Sequence, residues 1–105
     1  MQDKASFGEI IRKLRQGREE PLRVVAAAVG IDSTLLSKLE RGGRFPTEVQ
    51  ISKFAKLFKI PEHELKGRVI ADKVTSECDD DGAALHAAYI LKERATSSKA
   101  NLKRY

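Results

Sequence analysis

Ser33, Thr34, Ser37, Lys38 and Arg41 are the residues whose types and spacing first suggest chemistry. All five can donate hydrogen bonds, and on a helix they fall on the side away from Leu35, Leu36 and Leu39. Two hydroxyls at the start of a helix can donate and accept, so they fit several kinds of base edge, and a threonine methyl also suits thymine. Lys38 lies one turn beyond Thr34, where it can reach guanine O6 or N7, or a phosphate. A solvated helix face would carry similar residues, so the surrounding elements decide between the two readings.

Those elements form one stretch, Val24 to Gly42. An apolar, alanine-rich segment leads through Val29-Gly30-Ile31 into a second short segment that opens at Asp32 and stops at Gly42-Gly43. Asp32 suits an N-cap, and Gly30 suits a left-handed residue at a helix end. Ala26 to Ala28 keep the first segment slim, so another helix can approach closely. Two short helices joined by a tight turn, the second with a polar outer face, have the layout of a helix-turn-helix that enters a DNA major groove. Ser33, Thr34, Ser37 and Lys38 are therefore the candidate base-reading residues. Arg23, Arg41, Arg44 and Lys53 are candidates for phosphate contacts, which position a protein without selecting sequence. Each such contact adds about one unit to the salt dependence of binding.

The rest of the chain reads as support. Ser6 and Glu9 have capping-box spacing at the start of a first helix, with Phe7, Ile10, Ile11 and Leu14 on its apolar face and an end near Gly17. Arg12, Lys13, Arg15 and Arg18 cover its other side. Pro21 suits the first turn of the second helix, whose inner face is Leu22, Val25, Ala26 and Val29. Thr47 and Gln50 make a second capping box, and Val49, Ile51, Phe54, Ala55, Leu57 and Phe58 are expected in the core. Pro61 opens a fifth helix, where Leu65, Val69, Ile70 and Val74 continue an apolar stripe and Gly67 is a point for a bend or break. Asp79 to Gly82 interrupt the chain. A last helix follows, with Ala84, Ala88, Leu91 and Ala95 on one stripe and Leu85, Tyr89 and Ile90 beside it. Thr96 to Tyr105 reads as a loose basic tail. No segment shows a sustained period of two, so the protein is predicted to be all-α, a compact five-helix domain over residues 1–66 with a C-terminal helical extension over 67–105.

Composition agrees with a DNA partner without requiring one. The chain has 105 residues, 20 basic and 15 acidic, for a net charge of +5. Residues 1–66 hold 13 of the basic and 9 of the acidic residues, so most of the excess lies with the proposed reading head. A single cysteine, Cys78, excludes an intrachain disulfide, and it is expected in the core. With no apparent signal peptide or membrane span, the expected location is cytoplasmic. His63 and His86 stand alone and read as surface residues. Asp79 to Asp81 lack the spacing and closing glutamate of a calcium loop. No nucleophile elbow, phosphate loop or ordered Ser/His/Asp set is present, so no enzyme activity, cofactor, metal or small-molecule ligand is expected.

Residues 7–65 resemble the phage-repressor type of helix-turn-helix, the xenobiotic-response-element regulator family. The matching pieces are IIRKLR, VAAAVGI, LLSKLERG and FAKLFKI-PEHEL. PLRVVAA followed by IDSTLLSKLERG is further similar to small bacterial controllers found beside restriction–modification genes. The resemblance implies a transcription regulator, often a repressor, that binds a palindromic operator as a homodimer and regulates its own or a neighbouring operon. It also implies a structural pair, Glu40 of the third helix with Arg15 of the first. One position departs from the family, which usually has Gln early in the second helix to anchor the third helix on DNA. Here it is Leu22, leaving Arg23 beside it as the candidate anchor. The wide apolar last helix and the tail also suit an antitoxin-like interaction module, and a third reading is a DNA-targeting subunit of a modification system.

Overall fold

The computed structural model describes the backbone of residues 4–101 and the side chains of residues 4–97. Among the described residues six helices follow one another, α1 (Phe7–Gly17), α2 (Leu22–Val29), α3 (Ser33–Glu40), α4 (Glu48–Phe58), α5 (Glu62–Glu77) and α6 (Asp81–Asn101). No strand occurs among the described residues. The chain falls into two units, residues 1–73 and 74–105.

Local chemistry sets the helix starts. Ser6 and Glu9 exchange both bonds of a capping box at α1, and Thr47 and Gln50 do the same at α4. The Asp32 carboxylate accepts from the Leu35 N–H at 2.7 Å and caps α3. Pro21 is the N-cap of α2 with extended backbone, so the helix begins one residue later than expected, at Leu22.

The first unit has one hydrophobic core. Phe7, Ile10 and Ile11 of α1 meet Val25, Ala26 and Val29 of α2, Leu36 and Leu39 of α3, Ile51, Phe54 and Ala55 of α4, and Leu65 and Val69 of α5. Phe7 and Phe54 meet edge to face, with centroids 5.5 Å apart. Burying each large side chain contributes roughly 1.5–3 kcal/mol. Leu14, Leu22, Leu35, Leu57 and Phe58 are partly buried against this core.

One expected core position, Val49, lies outside it, and part of the apolar stripe expected on α5 is accessible. Val49 is 64% exposed. It stands two residues from Ile51, about 200° around the helix, so it faces away when Ile51 faces in. Ile70 is 58% exposed because it sits next to Val69 rather than one turn from it. Val74 is exposed as well. The inward position after Val69 is Asp72, whose Oδ2 accepts the Phe7 N–H at 3.0 Å. The apolar stripe of α5 therefore ends at Val69, in a polar cap on the free N-terminus of α1. Gly67 does not split α5, which runs unbroken from Glu62 to Glu77 into the region expected to begin the extension.

In the second unit, α6 runs to Asn101, so Thr96 to Asn101 is helical instead of a loose tail; positions 102–105 lie outside the described residues. None of its described side chains is buried. Ala84 and Ile90 are half-buried, while Ala88 and Ala95 are exposed, as are Leu85, Tyr89 and Leu91. The stripe expected there is thus largely accessible. Cys78 is half-buried beyond the end of α5, with Sγ donating to the Asp80 carbonyl at 3.3 Å, and does not join the core.

Candidate nucleic-acid interface

The turn before α3 is built from backbone requirements. Gly30 has φ 74° and ψ 33°, in the left-handed region that a side chain would strain. The Ile31 N–H then reaches back to the Ala26 carbonyl at 2.9 Å, closing the end of α2. A Cβ on Gly30 would also come within 3.3 Å of the Lys53 Nζ. Lys53, from α4, is therefore held beside the turn, although it lies far from it in sequence.

α3 is fixed from behind. Leu36 and Leu39 are buried in the core, and Glu40 is 8% exposed. Arg15 of α1 grips Glu40 with two bonds, Nε to Oε2 at 2.8 Å and Nη2 to Oε1 at 3.0 Å. Its Nη1 donates to the Glu20 carbonyl at 3.1 Å. One guanidinium thus ties α1, the α1–α2 connection and α3 together, with the planar fork matched to the carboxylate. This hydrogen bonding holds the Arg15 pKa above its ordinary value. α1 also approaches α3 through Gly8, whose Cα faces the carbonyls of Leu39 and Glu40.

With that side locked, the other side of α3 is free to meet a ligand. Thr34, Lys38 and Arg41 are exposed, while Ser33 and Ser37 are half-buried along the edge of the same face. Arg23 on the first turn of α2 and Arg44 in the loop after α3 are also exposed. Among the described residues, Arg23, Lys38, Arg41, Arg44 and Lys53 make no ion pair, so their charges remain available. The arrangement gathers hydroxyls and uncompensated cations on one helix face and its flanks.

Two contributors were missed in the sequence. Arg12, placed by the sequence only on the side of the first helix away from its apolar face, lines a groove with Arg15, Leu22, Ser37, Glu40 and Arg41. The signal was present, since Arg12 and Arg15 are three residues apart on one helix face, and wherever Arg15 meets Glu40, Arg12 comes alongside α3. Gly8 was also overlooked, because nothing in its neighbourhood marks the close crossing it permits. His63 and His86 are both exposed, as expected. No cluster that could hold a metal ion occurs among the described residues, and no described helix is long and apolar enough to cross a membrane.

Residues 6–66, more than half of the chain, match the model of the helix-turn-helix domain family. The chain belongs to that family. It is also 37% identical over 60 residues to an uncharacterized HTH-type transcriptional regulator of Bacillus subtilis (strain 168), RghRB. That match covers 56% of this chain and 43% of the relative, so the chain spans less than half of the protein it matches. No solved structure gives a significant match.

Proposed function

We propose that the protein is a DNA-binding transcription regulator of the phage-repressor type, and that α3 is its reading helix. The observation that carries this is the two-sided character of α3. One side is locked by Leu36, Leu39 and the Arg15–Glu40 pair, and the other offers Thr34, Lys38 and the edge residues Ser33 and Ser37. A rigid helix with polar groups near its N-terminus is what a major groove accepts. The family match and the similarity to the Bacillus HTH-type transcriptional regulator support the same reading.

Ser33, Thr34, Ser37 and Lys38 read bases in this proposal, and Arg23, Arg41, Arg44 and Lys53 hold phosphates. Residues 1–66 form the reading head. One head contacts about half a site, so the regulator acts as a homodimer on a palindromic operator, with residues 67–105 supplying the dimer contacts. It works in the cytoplasm, on its own or a neighbouring operon, and as a binding protein without catalysis. The link to restriction–modification controllers rests on PLRVVAA and IDSTLLSKLERG alone.

The exposed Leu85, Tyr89 and Leu91 of α6 favour one other reading, in which this helix binds a different protein, as in an antitoxin or a targeting subunit. Selection from a random duplex library tests the main proposal. A recovered motif with two inverted half-sites spaced by about one helical turn supports a dimeric reader. A flat library, with binding to every duplex alike, contradicts it.

A further inference from the structure

We infer that Arg12 and Arg41 form a clamp for one DNA backbone phosphate in the groove between α1, α2 and the flank of α3. This rests on the proposal that α3 reads DNA and adds a contact made from α1. Three observations carry it.

The groove, about 210 Å³, is lined by Arg12, Arg15, Leu22, Ser37, Glu40 and Arg41. Its charges are not equivalent. Arg15 and Glu40 are bonded to each other and cancel. Arg12 and Arg41 are exposed and make no ion pair among the described residues, which leaves two guanidinium groups uncompensated over one cleft. Paired arginine donors suit the tetrahedral oxygens of a phosphate better than a single ammonium does.

The position also fits. Arg41 caps the C-terminal end of α3, and Ser37 lies one turn earlier on the edge of the proposed reading face. A phosphate held there would lie alongside the bases that Ser33 and Ser37 face. Leu22 closes the side of the groove contributed by α2 with an apolar side chain, so α2 offers no side-chain donor from that position. Arg12 reaches the cleft from α1 and supplies one.

The test measures salt-dependent binding of the full chain to its own upstream DNA and to an unrelated duplex of equal length. The proteins are wild type, Arg12→Ala, Arg12→Lys and Lys13→Ala. Lys13 is the neighbouring charge on α1 and does not line the groove. Arg12→Ala is expected to weaken binding to both duplexes by a similar factor, roughly tenfold, and to lower the salt slope by about one unit, with an unchanged melting temperature. Arg12→Lys is expected to keep the slope and lose part of the affinity, because it retains the charge without the fork. Lys13→Ala is expected to change little. If the wild type binds DNA and Arg12→Ala matches it, or Lys13→Ala loses as much, the clamp is wrong and the reading helix stands. If the wild type binds neither duplex, both fail.

Discussion

Gly8 of α1 lies against Glu40 of α3 so closely that a Cβ on it would sit 2.5 Å from the Glu40 carbonyl oxygen. The neighbouring atoms are backbone, from Leu39 as well as Glu40, and cannot swing aside as a side chain would. The crossing of these helices is therefore set by the absence of a side chain at one position. Gly8→Ala should move α1 off α3 and cost at least about 2–3 kcal/mol, even though alanine is the better helix former. Urea denaturation measures this. A Gly8→Ala protein as stable as wild type would mean that the crossing is looser than described.

Arg15 and Glu40 act at the same crossing through charge. Their side chains are 14% and 5% exposed, so either partner alone would be stranded in a largely dry site. Arg15→Ala and Glu40→Ala should each cost roughly 3 kcal/mol. The double substitution should cost less than the two added together, because it strands neither charge. Both single variants should also weaken DNA binding, through the placement of α3. Additive losses in a double-mutant cycle would show that the pair contributes little.

Asp72 gives stability an unusual pH component. Burial raises its carboxyl pKa, against the lowering effect of the Phe7 N–H bond. The folded state thus holds this proton more tightly than the unfolded chain does. Stability from this group is greatest on the acid side of the ordinary carboxylate value and falls as pH rises through the raised one. Glu62 has the opposite sign. The Ser52 hydroxyl, followed by Lys66, lowers its pKa, so its stabilisation is present above the ordinary value and is lost as pH falls through the lowered one. Asp72→Asn keeps an acceptor for Phe7 and removes the titration. It should hold or raise stability at neutral pH and steepen the decline on the acid side. Asp72→Ala removes the acceptor and should cost about 1–2 kcal/mol. Thermal melts across the acid range check both, and a shallower acid decline in Asp72→Asn would contradict the assigned sign.

Much of this fold was legible because its signals are local. The two capping boxes, the Asp32 cap and the Gly30 turn each depend on residues within five positions of one another. The Arg15–Glu40 pair spans 25 positions and came from family resemblance, which brings long-range information that spacing lacks. Val49 was misplaced by hydrophobicity alone, although its angular offset from Ile51 was readable. Asp72 was hidden for a different reason. An acid in a helix reads as surface, and only the packing of α5 shows that it meets the first free N–H of α1. Gly8 depends in the same way on how α1 crosses α3, which no local pattern encodes.

The most direct test of α3 as a reading helix is fluorescence anisotropy with the protein's own upstream DNA. It is run at near-physiological salt, with excess unrelated duplex, for wild type and a Ser33→Ala/Thr34→Ala/Lys38→Ala variant. These side chains are exposed or half-buried, so the variant should keep its fold. Tight binding that resists the competitor in the wild type and is lost in the variant is the result predicted. Weak binding that any DNA removes equally, or a variant that binds as selectively as wild type, would contradict it.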